Sequence, residues 1–93
     1  MDQKGKIDMQ NNFISAMIKN LPVLRAAIHL TQASLADKLG VSRQTIVAIE
    51  TRKREMPWNL YLALVCVFQQ YPESCDLLDK LGLFTSCVIT EVL

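Results

Sequence analysis

The sequence contains little of what marks most enzymes, secreted proteins and membrane proteins. Its 93 residues include one histidine, three cysteines, three glycines and three prolines, and its formal net charge is only +1. So few glycines and prolines leave little material for tight turns, which favours helices over many short strands. A chain of this length forms one domain with a modest core.

The sequence also lacks the residue patterns of disulfide frameworks, metal sites and catalytic sites, which excludes several classes of function. Cys66, Cys75 and Cys87 show no CxxC or histidine-paired spacing, so we expect neither a disulfide framework nor a metal site, and no cofactor. His29 stands in no Ser/His/Asp or Cys/His arrangement, and the chain has no glycine-rich phosphate loop. We therefore predict that the protein is not an enzyme.

Long hydrophobic runs are also missing. The longest uncharged apolar run, residues 60–68, is far shorter than the roughly 20 residues that cross a bilayer. Residues 1–12 lack the apolar core of a secretory signal. These two observations predict a cytoplasmic protein with no membrane partner.

Charge is present but unevenly distributed. The formal charge is +2 over residues 1–30, +3 over residues 31–54 and −4 over residues 55–93. A nearly neutral protein with this asymmetry can present a positive face to a polyanion such as DNA.

The first part of the chain predicts two helices. Residues 1–12 are polar, and we expect them to be frayed. Apolar residues at helical spacing predict a short helix over residues 13–20. Because proline suits the first helical position, we expect a new helix to begin at Pro22 and to run to about residue 29.

The middle of the chain predicts two short helices joined by a tight turn. Thr31 can cap the first of them, and Gly40 can end it in the left-handed conformation. Ser42 can cap the second, which we place at residues 43–51. Two helices joined by a short glycine-containing turn form a helix-turn-helix unit. We expect Ala36 and Gly40 to lie where the helices cross most closely, which would require small side chains.

The last part of the chain predicts two more helices and a tail. Pro57 opens a strongly apolar helix that ends near the Tyr71–Pro72 junction. A shorter helix begins at Ser74 or Cys75 and stops at Gly82. No internal repeat interrupts this organisation.

The middle of the chain resembles the Cro and phage-repressor type helix-turn-helix family, the XRE family. The resemblance covers roughly residues 21–70. The matching residues are Leu24-Arg25, Thr31-Gln32, Leu35-Ala36, Leu39-Gly40-Val41-Ser42-Arg43, Ile46 and Ile49-Glu50. It implies an all-α, lambda-repressor-like five-helix bundle with a short N-terminal helix and a C-terminal tail. We place an N-terminal arm and short helix at 1–20, a helix-turn-helix DNA-binding domain at 21–82 and a C-terminal tail, which could form a dimer contact, at 83–93.

The helix at residues 43–51 has the side chains of a base-reading helix. Its buried face carries Ile46 and Ile49, while the opposite face has none of the Glu/Lys pairs that support a solvated helix. Arginine can bond guanine, glutamine can bond adenine, and small apolar groups can meet a thymine methyl. The predicted base-reading residues are Arg43, Gln44, Val47 and Ala48, with Thr51 the most distal.

Phosphate contacts would position this helix on double-stranded DNA. The resemblance implies that Gln32 contacts the backbone at the start of the preceding helix. Ser42 is a second candidate, although capping alone would explain its hydroxyl. The basic run Arg52, Lys53 and Arg54 would clamp the flanking strand, and each phosphate contact would steepen the salt dependence of binding.

Two further features follow from the resemblance. Arg25 and Glu50 match a mostly buried salt bridge, which we assign to structure. Arg52 stands where the family usually has glycine, because the helix end adopts a positive φ there. Either Arg52 accepts that strain or the helix continues further, in which case the directions of Lys53 and Arg54 change.

We therefore predict a sequence-specific transcriptional regulator, a repressor rather than an activator, that binds a palindromic operator as a homodimer. The apolar helix at 57–70 is too hydrophobic for a small core to surround. Either a partner subunit or another protein covers one side of it, or the tail does. The alternative function is an antitoxin or protein-interaction module that binds DNA secondarily.

Overall fold

A computed structural model describes residues 3–83, apart from the side chains of residues 3, 4, 6 and 7, and this range contains helices and no strand. The elements are α1 (Gln3–Ala27), α2 (Gln32–Leu39), α3 (Arg43–Glu50), α4 (Trp58–Gln69) and α5 (Pro72–Lys80). The predicted all-α, five-helix architecture is confirmed. The domain boundaries remain predictions, and the tail that we placed at 83–93 lies outside the described residues from Phe84 onward.

The first part of the chain differs from prediction, because the two expected helices are one. A single 25-residue helix, α1, begins at Gln3 and ends at Ala27. The prediction of a frayed segment at 1–12 is therefore wrong for residues 3–12, and the prediction of a helix break before Pro22 is wrong as well. Asn20, where we expected the first helix to end, donates its side-chain amide to the Ala16 carbonyl at 2.8 Å.

Tertiary packing explains why α1 continues through a proline. Pro22 cannot donate to the Ile18 carbonyl, and a proline inside a helix costs about 3 kcal/mol. Met17, Leu21 and Leu24 lie on one face of α1 and are completely buried. Each such side chain contributes about 1.5–3 kcal/mol on burial, so keeping one continuous helix outweighs the cost of Pro22, which lies on the exposed face.

The core lies between α1, the α2–α3 pair and α4, with α5 closing one end. Its centre is Tyr61 of α4, whose ring stacks on Trp58 with centroids 4.6 Å apart and whose hydroxyl donates to the Leu83 carbonyl. Burial raises the pKa of Tyr61 above its usual value. The completely or almost completely buried side chains are Met17, Leu21, Leu24, Leu35, Ala36, Ile46, Ile49, Met56, Tyr61, Leu64, Val65, Phe68, Ser74, Leu78 and Leu83.

Four helices end in the same backbone motif, in which one residue takes a positive φ and the next N–H bonds to the carbonyl five residues before it. The bonds are Leu30 N to Arg25 O (2.9 Å), Val41 N to Ala36 O (3.0 Å), Lys53 N to Ala48 O (2.8 Å) and Leu83 N to Leu78 O (2.9 Å). Glycine takes the positive φ after α2 and α5, as predicted, whereas His29 and Arg52 take it after α1 and α3.

Gly40 is required for its backbone and not for its size. Its φ is 71°, but a Cβ atom placed on it would meet nothing within 4 Å. The prediction that a close helix crossing demands a small side chain at Gly40 is therefore wrong. At Ala36, which is buried, packing does limit the side chain.

The predicted helix starts are confirmed for α2 and α3. The hydroxyl of Thr31 accepts the Ser34 N–H at 3.0 Å, and that of Ser42 accepts the Thr45 N–H at 3.1 Å. The start of α5 was predicted too late, because Pro72 itself occupies its first turn, where its missing N–H has no helical partner to lose.

Helix α4 buries most but not all of its apolar surface. Tyr61, Leu64, Val65, Val67 and Phe68 are buried, whereas Cys66 is exposed. Of the apolar residues after α5 that could cover it, Leu81 is exposed and Leu83 is completely buried. The others, Phe84, Val88, Ile89, Val92 and Leu93, lie outside the described residues. Among residues 3–83 no single helix is long and apolar enough to cross a bilayer, and the bent pair Asp8–Ala27 and Gln32–Leu39 passes that test only by length and composition.

Candidate nucleic-acid interface

Helix α3 is anchored on one face and open on the other. Ile46 and Ile49 are each 1% exposed, and they hold α3 against α1 and α2. The outward face carries every residue predicted to read bases, with Arg43 and Gln44 exposed in the first turn and Val47 and Ala48 half-buried behind them. Thr51, at the far end of this face, bonds its hydroxyl to the Val47 carbonyl at 2.8 Å.

One flank of α3 is occupied by a network around Glu50. Arg25 donates from Nε to Glu50 Oε2 at 2.8 Å and from Nη2 to Oε1 at 3.0 Å, so the pair is bidentate. The third guanidinium nitrogen of Arg25 donates to the Leu30 carbonyl at 3.2 Å. Only 17% of the Arg25 side chain and 7% of the Glu50 side chain are exposed. The network therefore fixes α3 relative to α1 and to the α1–α2 connection.

Gln32 joins the same network from the first residue of α2. Its Nε2 donates to Glu50 Oε1 at 3.1 Å, which makes three hydrogen bonds on that carboxylate. An amide nitrogen has two N–H groups, so one remains for another acceptor. A phosphate contact by Gln32 stays a prediction, and the geometry leaves a donor for it.

The opposite flank of α3 carries a second, smaller network. Arg54 donates from Nη1 to the hydroxyl of Thr45 at 3.2 Å, and that hydroxyl lies 2.9 Å from the hydroxyl of Ser42. Thr45 was not among the predicted site residues. The spacing Ser-x-x-Thr, which places a second hydroxyl three residues after the cap, was the available signal.

The backbone after α3 resolves the two alternatives that the sequence left open at Arg52. The helix ends at Glu50 with Thr51 as its cap, and Arg52 takes the left-handed conformation with a φ of 61°. Arg52 therefore accepts the strain that glycine would avoid. The basic residues Arg52, Lys53 and Arg54 are all exposed.

The outward surface of α3 and the basic run after it carry positive charges that no nearby carboxylate in the described range neutralises. Over the described range, carboxylates lie within 4.0 Å of a cationic nitrogen in two pairs, Arg25–Glu50 and the exposed Asp76–Lys80. The cations of α3 and of the run after it are therefore available to a polyanion. No group of three or more His, Cys, Asp or Glu that could hold a metal occurs among these residues.

Comparisons with known proteins match this part of the chain. The helix-turn-helix family model covers residues 24–56, from the last turn of α1 to the segment after α3. A protein of Methanocaldococcus jannaschii described as an uncharacterized HTH-type transcriptional regulator is 60% identical over 52 residues, which are 56% of this chain and 79% of that relative. No solved structure shows a significant match.

Proposed function

Because the chain belongs to the Cro and phage-repressor (XRE) type helix-turn-helix family, whose members bind DNA, we propose that it is a sequence-specific transcriptional regulator. In this proposal α3 lies in the major groove of an operator. The observation that carries it is the first turn of α3, where Arg43 and Gln44 are exposed on a helix whose other face is held by buried isoleucines.

The proposed readout follows from the chemistry of that turn. A helix-turn-helix directs the N-terminal residues of its second helix at the base edges. Arg43 can donate two hydrogen bonds to guanine, and Gln44 can pair with adenine through one donor and one acceptor. Val47 and Ala48 lie one turn further along, where small apolar groups can contact a thymine methyl.

We propose that the regulator binds a palindromic operator as a homodimer. One α3 reads only a few base pairs, so tight and selective binding calls for two copies related by a two-fold axis. The incompletely covered apolar side chains of α4 are compatible with a partner subunit. Sedimentation velocity on the full chain, with and without operator DNA, would measure this directly, and a monomer in both samples would refute the dimer.

Repression is the proposed sign of regulation. In this proposal the protein would block transcription by occupying an operator within a promoter, which requires only the DNA binding that we assign to α3. We also propose that the protein acts in the cytoplasm. The second candidate, an antitoxin or interaction module, is favoured by one feature, the exposed carboxylates Glu73, Asp76 and Asp79 on α5. A toxin-like gene adjacent in the genome would support it.

Selection from a randomised DNA pool tests the proposed function. The wild-type chain should enrich one palindromic sequence. Arg43→Ala should bind that sequence about 1–3 kcal/mol more weakly and lose preference at one base position in each half-site. Lys53→Ala is the matched control, since it should weaken all sequences similarly and lower the salt slope by about one per subunit. An unchanged base profile for Arg43→Ala would show that α3 is not the reading helix.

A further inference from the structure

The two flanks of α3 are built from different chemistry. A helix advances about 100° per residue, so Thr45 and Glu50 lie on opposite sides of the outward face that carries Arg43 and Gln44. On the Glu50 side the charge of Arg25 is neutralised by a carboxylate. On the Thr45 side the guanidinium of Arg54 donates to the Thr45 hydroxyl, which in turn lies 2.9 Å from that of Ser42, and no carboxylate among the described residues pairs with it.

Arg54 reaches this position because the chain reverses after α3. The left-handed Arg52 turns the backbone, and the N–H groups of Lys53 and Arg54 both bond to the Ala48 carbonyl, at 2.8 and 3.2 Å. The side chain of Arg54 then runs back along α3 to Thr45, nine residues earlier in the chain. Although the basic run follows the helix in sequence, its last member lies beside the first turn of α3.

Arg54 lies beside the N-terminal end of α3, where the helix dipole does not favour a cation. The N-terminal end of a helix carries about half a positive charge, which repels a cation. The hydrogen bond to Thr45 uses one of the five N–H donors of the guanidinium and leaves the charge uncompensated. An anion that approached this flank would relieve the repulsion and accept the free donors. A helix in the major groove has a phosphate strand on each side, which supplies such an anion.

We infer that Thr45 is a positioning residue that holds the Arg54 guanidinium beside the first turn of α3, where it contacts the phosphate strand next to the bases that Arg43 and Gln44 read. This inference rests on the proposed DNA-binding function. It separates Arg54 from the rest of the basic run, because its contact depends on the hydroxyl of a residue inside the recognition helix. Within the described part of the chain no hydrogen bond holds the Lys53 ammonium group, and in this proposal it acts as a point charge.

A purely structural role for Thr45 makes a different prediction. Its hydroxyl also lies 2.9 Å from that of Ser42, so it could serve only to support the start of α3. Loss of that support would lower stability in any background and would leave the salt dependence of DNA binding unchanged. Positioning, in contrast, requires that the effect of Thr45 disappear when Arg54 is absent.

The experiment is a double-mutant cycle on the full chain, with binding to the selected operator duplex measured by fluorescence anisotropy at several KCl concentrations. Thr45→Val removes the hydroxyl and keeps the shape, while Thr45→Ser retains the hydroxyl. We expect Thr45→Val to weaken binding by about 3- to 10-fold and to lower the salt slope in the same direction as Arg54→Ala. Thr45→Ser should keep the wild-type slope, and Thr45→Val should add nothing to Arg54→Ala.

Three outcomes would overturn the inference. Thr45→Val could keep the wild-type affinity and slope, or it could weaken binding equally with and without Arg54. Arg54→Ala could also leave affinity and slope unchanged, and this outcome applies even if Thr45→Val does not fold. A wild-type chain that binds no duplex would instead refute the proposed function, so the two failures are distinguishable.

Discussion

The network around Glu50 predicts a stability effect that can be worked out from its geometry. The carboxylate accepts three hydrogen bonds, two from Arg25 and one from Gln32, and 7% of the Glu50 side chain is exposed. Removing one partner of a buried ion pair leaves the other charge uncompensated, at a cost of about 3–5 kcal/mol. Because 17% of Arg25 is exposed, we expect the lower end of that range, about 3 kcal/mol.

The substitutions Arg25→Met and Glu50→Leu test this value. Each alone should lower the free energy of unfolding by about 3 kcal/mol, which corresponds to a fall in Tm of about 12–24 °C for a chain of this size. The double variant should lie within about 1 kcal/mol of the wild type, since two apolar groups can replace a buried pair at little cost. The residual cost comes from Gln32, which loses its acceptor, and from the Leu30 carbonyl, which loses the Arg25 donor.

Equilibrium urea unfolding at neutral pH, at low and at high salt, measures the stability losses of the single variants and of the double variant. A buried pair is screened weakly, so the losses should change little with salt. If each single substitution cost less than about 1 kcal/mol, or if the double variant lost the sum of the two, the pair would behave as a surface ion pair. The reasoning from burial and hydrogen bonding would then be wrong.

Three further substitutions, each measured by the same unfolding assay, test single features. Gly40→Ala should cost about 1–2 kcal/mol from its positive φ, and a much larger loss would mean a steric clash where the structure shows space. Arg52→Gly should raise the free energy of unfolding by up to about 1 kcal/mol. Glycine relieves the strain of the positive φ, and the larger entropy of the unfolded chain offsets part of that gain. A lower free energy of unfolding would contradict a left-handed Arg52. Tyr61→Phe should cost about 1–3 kcal/mol, since the Leu83 carbonyl loses a buried donor, and a neutral result would argue against that bond.

Parts of the fold could be predicted from the sequence alone, because they depend on interactions between residues that are close in sequence. The caps at Thr31 and Ser42 each join a hydroxyl to an N–H three residues later, and Gly40 ends α2 through its own backbone freedom. Such interactions depend on a few neighbouring residues, so the sequence determines them wherever the helix forms. The buried face of α3 was predictable for the same reason, because Ile46 and Ile49 are three residues apart and share one side of the helix.

Local rules failed where long-range packing competed with them. Proline is a reliable local signal for a helix start, yet α1 passes through Pro22 because completely buried side chains on both sides of it are held by one continuous helix. Pro72 follows the local rule and begins α5, because the backbone already leaves the helix at Gln70 and Tyr71, between the end of α4 and this proline. The energy of burial, which depends on the whole bundle, decided between the two cases.

The candidate site divides in the same way. The sequence determined which side chains α3 turns outward, because helical period and capping are local properties. The tertiary structure alone decided what lies on the flanks: Gln32 meets Glu50 across 18 residues, and Arg54 meets Thr45 after the chain reverses at Arg52. These contacts depend on the relative positions of segments that are distant in sequence, and the packing of the whole bundle sets those positions.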